Sequence, residues 1–258
     1  FLTVIMKVLI IGYGSSGQRY HQIIKEKYPN VEVRVFSYRI RNKDFFLANK
    51  SQIISFSPNV VFFCNPSSKR LGLLDFTKSV KKIFIEKPLA HNFKDGKKIL
   101  AYLKNKKIKA LGYNLRFYNI LNFIKKNLKK YVGRVHSFNC ESGYLLKKWR
   151  NKNYLKSVSA SKKLGGGALL EMSHELDYLI WIFGKRFKCK GFNINSKELN
   201  IDVEDNVKII FNFSNKILGS LSLDFLNNNK KRFLTINGNK GELKIDLILN
   251  NIYFLKKK

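Results

Sequence analysis

A glycine turn near the amino end limits the fold more than any other feature of the sequence. Gly12, Tyr13, Gly14, Ser15, Ser16 and Gly17 read GxGxxG, directly after the apolar run Val8, Leu9, Ile10, Ile11 and ahead of a helical pattern. A strand that passes through such a turn into a helix opens a dinucleotide-binding βαβ unit. The first glycine permits the tight turn, the second lets a pyrophosphate approach the backbone, and the third allows the helix to pack closely on the strand. The helix start offers unpaired N–H groups to phosphate oxygens. All six residues are therefore expected to bind the cofactor.

The pattern that follows agrees with a parallel sheet and crossover helices. Candidate strands lie at Lys7 to Ile11, Val31 to Phe36, Val60 to Cys64, Lys82 to Ile85 and Ala110 to Tyr113. Candidate helices lie at Gly17 to Lys27, Leu71 to Lys78 and Asp95 to Lys104. After Arg116 the texture changes to period-two alternation: Val207, Ile209, Phe211, Phe213, then Leu221, Leu223, Phe225, then Leu243, Ile245, Leu247. That is the mark of antiparallel strands with one wet face. The expected class is α/β: a doubly wound parallel sheet over residues 1–116, then an α/β domain with an open, largely antiparallel sheet over 117–258.

The 258 residues carry 50 Lys+Arg against 17 Asp+Glu, a net charge of +33, yet 45% are hydrophobic, which excludes a disordered polyelectrolyte. Lysines recur in nearly every segment, and neither an arginine-rich helix nor an aromatic RNA-stacking strand stands out. Specific nucleic-acid binding is therefore not expected, although the charge can attract anionic metabolites. Cys64, Cys140 and Cys189 form neither a disulfide framework nor a metal knuckle, so a reducing, cytoplasmic setting and no bound metal are expected. No apolar run approaches the roughly 18 residues that span a bilayer, and no membrane partner is expected. Met6 reads as a start, with Phe1 to Ile5 as upstream sequence.

A carboxylate about 20 residues beyond the glycine turn would hold the ribose hydroxyl of NAD. Here Ser37, Tyr38 and Arg39 stand there, with Arg41 behind. A hydroxyl and a guanidinium suit a 2′-phosphate, so NAD(P) is expected with NADP preferred. Asn65 and Pro66, after the third candidate strand, and Asn114 complete the expected cofactor contacts.

Three more motifs follow in order: Glu86, Lys87, Pro88; then Gly112, Tyr113, Asn114, Leu115, Arg116, Phe117; then Gly165, Gly166, Gly167 leading to His174. With the glycine turn, they resemble the glucose-fructose oxidoreductase and inositol dehydrogenase (Gfo/Idh/MocA) family from Lys7 to about Leu247. The resemblance implies an N-terminal Rossmann domain, a C-terminal sheet that forms subunit contacts, and hydride transfer to or from a sugar, cyclitol or nucleotide sugar. A homo-oligomer through that sheet is expected. It also implies that Lys87 is the catalytic lysine and that Glu86 and Pro88 lie on the nicotinamide side. An ammonium in a dry site can stabilise developing alkoxide.

His174 is implied as a general acid/base or substrate ligand. The family pattern is DxGxH with Asp three residues later; His174 and Asp177 keep that spacing, but Leu170 occupies the first aspartate position and Glu171 falls one residue late. At about 100° per residue, Leu169, Met172, Leu176, Leu179, Ile180 and Phe183 share an apolar arc, leaving Glu171, His174, Asp177, Tyr178 and Trp181 opposite. Arg116, Trp149, Arg150, Tyr154, Glu171 and His174 are the candidate substrate-binding residues, and Ser157, Ser159 and Ala160 follow in the same segment. This segment is similar to the family branch associated with cell-surface sugar biosynthesis, including acidic nine-carbon sugars. His21, His91 and His136 are read as surface or structural residues. Two alternatives stay open: a reductase of a non-sugar carbonyl or imine similar to biliverdin reductase, and a dinucleotide sensor without turnover. Family members run well past 300 residues, so a final strand and a returning helix are expected to be missing.

Overall fold

The computed structural model describes residues 5–38, 43–150 and 153–257. The chain forms two compact units: one runs to Gly112 and takes in Lys163–Gly165, and the other holds Tyr113–Lys162 and Gly166–Lys258.

The first unit contains β1 (Lys7–Ile11), α1 (Ser15–Lys27), β2 (Glu32–Phe36), β3 (Phe46–Leu47), α2 (Ser51–Phe56), β4 (Val60–Phe63), α3 (Leu71–Leu74), β5 (Lys82–Ile85), α4 (Phe93–Lys104) and β6 (Ile108–Leu111). Its six strands are all parallel, in the order β3-β2-β1-β4-β5-β6. The order reverses beside β1, which places a crevice at the carboxyl ends of β1 and β4, where such sheets bind ligands. Leu9, Ile10, Ile11, Val61 and Phe63 are buried to within 1%, explaining why these strands read as unbroken apolar runs.

Three expectations shift. The last strand is Ile108–Leu111, two residues before the expected Ala110 to Tyr113, because pairing with β5 (Lys82 to Ile108, Ile85 to Leu111) sets its register. The helix expected over Leu71 to Lys78 stops at Leu74 and tightens into a 3-10 turn at Asp75–Thr77. There the Lys106 ammonium collects the carbonyls of Thr77, Lys78 and Val80 at 3.1, 2.8 and 2.8 Å, satisfying the groups that a longer helix would have bonded. β3 and α2 were not anticipated; two and six residues are too short for a periodic signal.

The second unit contains α5 (Asn119–Tyr131), β7 (Val135–Gly143), α6 (Leu146–Trp149), α7 (Ala168–Glu171), α8 (Ser173–Phe183), β8 (Phe187–Ile194), β9 (Asn206–Phe213), β10 (Leu218–Asp224), β11 (Lys231–Gly238), β12 (Gly241–Asp246) and β13 (Asn251–Lys256). The sheet runs β13-β12-β11-β7-β10-β9-β8 and is antiparallel except where β7 and β10 pair in parallel at its centre. Phe138, Phe211, Leu221, Leu234, Ile236 and Leu243 form the inner face with α5 and α8. The outer face is less wet than the alternation implied. The registers place Phe192, Ile194, Ile210, Leu218, Phe233, Tyr253 and Leu255 on it, each more than 40% exposed, among lysines, asparagines and serines.

The helical arc also needs correction. Tyr178, expected on the polar side, is fully buried with its hydroxyl 3.1 Å from Cys140 Sγ, whereas Leu176 and Ile180 are only partly buried. The arc assumed one continuous helix, but the chain breaks at Met172 (φ −101°, ψ 28°), so the phase of α8 is reset.

Candidate functional site

In the first unit the glycine turn is shaped by close backbone approach. Gly12 has φ +95°, and a Cβ there would stand 2.6 Å from Asn65 N; at Gly17 it would stand 2.1 Å from Gly12 O. Gly14 is different, with no atom within 4 Å of a Cβ position. Its carbonyl accepts the first helical bond of α1 from Gln18 N–H at 2.9 Å, and α1 has neither a side-chain cap nor an acid in its first turn. The N–H groups of Ser15, Ser16 and Gly17 thus precede the helical ladder beside open space, an arrangement suited to a pyrophosphate.

Tyr13 braces the turn. Its ring lies edge-on to Phe46 at 5.2 Å, and its hydroxyl is 2.8 Å from His21 Nδ1. Partial burial and the nearby charges of Lys25 and Lys43 hold the His21 pKa below its ordinary value. Ser37 is buried just after β2, and Tyr38 beside it is exposed. Arg39 and Arg41 lie outside the described residues.

The loops after β4 and β5 bring Asn65, Pro66, Glu86, Lys87 and Pro88 to neighbouring strand ends. Asn65 is buried, and both polar atoms of its side-chain amide find no hydrogen-bond partner among the described residues. A buried amide of this kind fits a ligand that both donates and accepts, as a carboxamide does. Glu86 accepts a 2.6 Å hydrogen bond from the Tyr20 hydroxyl and backs onto Gly112; Lys87 is half-buried. Burial, and then the charge of Glu86, push the Cys64 thiol up to about 12, so it stays protonated and unreactive. Tyr20 and Arg70 were missed from the sequence. Arg70 is 2% exposed and donates to the carbonyls of Pro88, Leu89 and Asn65. Neither lies in a motif, and only the folded chain brings them to these loops.

The second unit is organised by ion pairs. Asn114 and Arg116 share a 3-10 turn, Asn114–Phe117, and Arg116 forms a bidentate pair with Asp177 at 2.7 and 2.6 Å. The hydrogen bonds to Asp177 raise the Arg116 pKa further. Tyr113 lies edge-on to the His174 ring at 5.6 Å. Arg150 donates to Glu171 Oε2 at 2.5 Å and to Ser159 Oγ at 2.9 Å, and that hydroxyl donates to Glu171 at 3.0 Å. Trp149 stacks under the Arg150 guanidinium at 4.6 Å. Trp149, Arg150 and Glu171 are thus brought together, but Tyr154 is turned elsewhere, its hydroxyl donating to Leu199 O at 2.9 Å.

The glycines do lead into a helix start at α7, but its first two N–H groups are already used. Ala168 N–H bonds to Glu204 O and Leu169 N–H to Glu204 Oε1, each at 3.1 Å. Beside His174, Glu175 is fully buried and receives Arg232 Nε at 2.6 Å. Glu204 and Arg232 are the residues missed here, because each comes from a distant strand or loop.

Comparison with known proteins bears on both units. The GFO/IDH/MocA C-terminal domain model matches residues 128–244. Residues 128–244 thus carry the C-terminal domain of the Gfo/Idh/MocA family. Among curated relatives, the 2,7-anhydro-N-acetylneuraminate hydratase of Escherichia coli is 26% identical over 176 residues; the match covers 66% of this chain but only 46% of that protein's length. Among solved structures, the WlbA dehydrogenase of Chromobacterium violaceum, in complex with NADH and UDP-GlcNAcA, superposes with a TM-score of 0.83 at 18% identity, covering 100% of this chain and 79% of that one. The myo-inositol 2-dehydrogenase of Lactobacillus plantarum gives 0.78 at 16% identity, covering 93% and 76%. At these identities the structural likeness is one of fold. The superpositions extend over both the parallel and the mixed sheet, since they cover 93–100% of this chain. Among the described residues, no group of three or more His, Cys, Asp and Glu could hold a metal ion, and no helix is long and apolar enough to cross a membrane.

Proposed function

We propose that this chain is a Gfo/Idh/MocA-type, NAD(P)-dependent oxidoreductase of a sugar or nucleotide sugar. The observation that carries this reading is the glycine turn at the sheet's switch point, where Gly12 and Gly17 are closed by backbone and Gly14 is open. Gly12 to Gly17, Ser37, Asn65, Pro66, Glu86 and Asn114 are the residues that would contact the cofactor. When bound, it supplies or accepts the hydride. The Lys87 ammonium stabilises the alkoxide that develops on the substrate oxygen, and His174 exchanges its proton. Arg116, Trp149, Arg150 and Glu171 orient the sugar, the first and last through the ion pairs that already fix them.

The names of the hydratase and of the WlbA complex both contain an acidic sugar, which supports a carboxylated substrate, in keeping with the place in surface glycan synthesis that we propose. Among the described residues no carboxylate follows β2 at positions 37 and 38, which supports NADP over NAD. The apolar residues on the outer sheet face support a second copy of this chain as its cover. A reducing cytoplasm suits the chain's three free cysteines.

The test is to titrate NADH and NADPH, then to follow nicotinamide absorbance with a panel of uronic-acid and neutral nucleotide sugars. We expect tighter NADPH binding and turnover with an acidic sugar. Failure to bind either dinucleotide overturns the reading. The hydratase relative supports a second one, net addition or removal of water, which consumes substrate with no net change in nicotinamide absorbance.

A further inference from the structure

Arg70 is an arginine inside the first unit, 2% exposed. Burying a guanidinium is costly unless its donors are satisfied. Its Nη1 donates to Pro88 O and, at 2.9 Å, to Leu89 O; its Nη2 donates to Asn65 O at 3.3 Å. These acceptors belong to two different loops, one after β4 and one after β5, at adjacent strand ends beside the switch point. One planar fork thus ties the main chain at Asn65 to the main chain immediately after Lys87. The residue before Lys87 is fixed as well, since Glu86 N–H donates to Phe63 O at 2.9 Å and the Glu86 carboxylate accepts from Tyr20. A lysine at position 70 could place a charge there but could not span both loops with fixed geometry.

We infer that Arg70 is a positioning residue that clamps the Asn65 and Lys87 loops into one surface for the nicotinamide half of the dinucleotide. This rests on the dinucleotide reading above. The pyrophosphate and adenosine half belongs to a different construction, the glycine turn between β1 and α1. Loss of the clamp should therefore separate the two halves of the ligand. The orphaned Asn65 amide, whose place depends on the Asn65 main chain, should lose its register together with Lys87.

The experiment uses calorimetric titration of the full chain with NADH and with ADP-ribose, which lacks the nicotinamide ring, alongside thermal unfolding. For the unmodified protein we expect NADH to bind about tenfold more tightly than ADP-ribose. In Arg70→Met, ADP-ribose affinity should stay within about twofold while the advantage of NADH falls to about twofold or less. Arg70→Lys, which keeps the charge and most of the volume, should lose most of that advantage and serves in its place if the methionine variant does not fold. If NADH keeps its full advantage in whichever variant folds, even with a lowered melting temperature, Arg70 is a structural buttress and the inference fails. It also fails if both ligands weaken equally, or if the unmodified protein makes no distinction between them. Binding of neither ligand to the unmodified protein is a separate result, which defeats the dinucleotide reading itself.

Discussion

The candidate site of the first unit is made largely of main chain, whereas that of the second is made of paired side chains. In the first, helix N–H groups lie beside the space left at Gly14, and Arg70 grips carbonyls. In the second, Arg116 with Asp177, Arg150 with Glu171 and Arg232 with Glu175 fix the polar residues around α7 and α8. The difference teaches how each can fail. A backbone site is broken by any side chain that fills it, and a side-chain site by removal of one partner from a pair.

The largest effect should come from breaking the most buried pair. Arg232→Ala leaves the fully buried Glu175 carboxylate uncompensated, with its other oxygen already lacking a partner among the described residues. We expect a loss of about 3–5 kcal/mol in urea unfolding. Arg232→Ala combined with Glu175→Leu should recover much of it, because the charge is then gone; no recovery would show that β11 packing, not charge, carries the cost. Next is Gly12→Ala, which puts a methyl group 2.6 Å from Asn65 N at a φ of +95°. A cost of about 3 kcal/mol is expected, with loss of dinucleotide binding in titration. If Gly12→Ala binds normally, the main-chain half of the comparison is wrong.

His174→Asn sharpens the comparison in the second unit. It keeps a hydrogen-bonding group but removes acid/base capacity, so turnover should fall about 10²-fold while dinucleotide affinity is unchanged. Near-full activity across the pH profile would make His174 structural and shift the proton to Lys87 or Glu171. The smallest effect concerns His21 beside the glycine turn. Its pKa is lowered from 6.5 by burial, Lys25 and Lys43, so the unfolded chain takes up the proton first as pH falls. Its contribution to stability is thus present above the unfolded value and is lost as pH drops through the lowered folded one. Melting temperatures from pH 7.5 to 5 should fall more steeply in the unmodified protein than in His21→Gln; parallel curves would remove His21 from this role.

Local chemistry was legible where a residue type has one physical use. Gly12, Gly14 and Gly17 after Lys7 to Ile11 pointed to the turn, and the alternation of short strand-like runs with helical patterns pointed to a parallel sheet. The alternation after Val207 likewise announced the second sheet. Tertiary structure alone decided the rest. The parallel pairing of β7 with β10, the register of β6, and the break at Met172 that buries Tyr178 depend on partners remote in sequence. Arg70, which is buried, and Glu204 and Arg232, which are half-buried, carry no local signature, because such a charge is placed by the groups it meets, and these lie 5–57 residues away along the chain. Periodicity reports which face of a segment is apolar, but only the folded chain determines which carbonyl, carboxylate or guanidinium stands opposite.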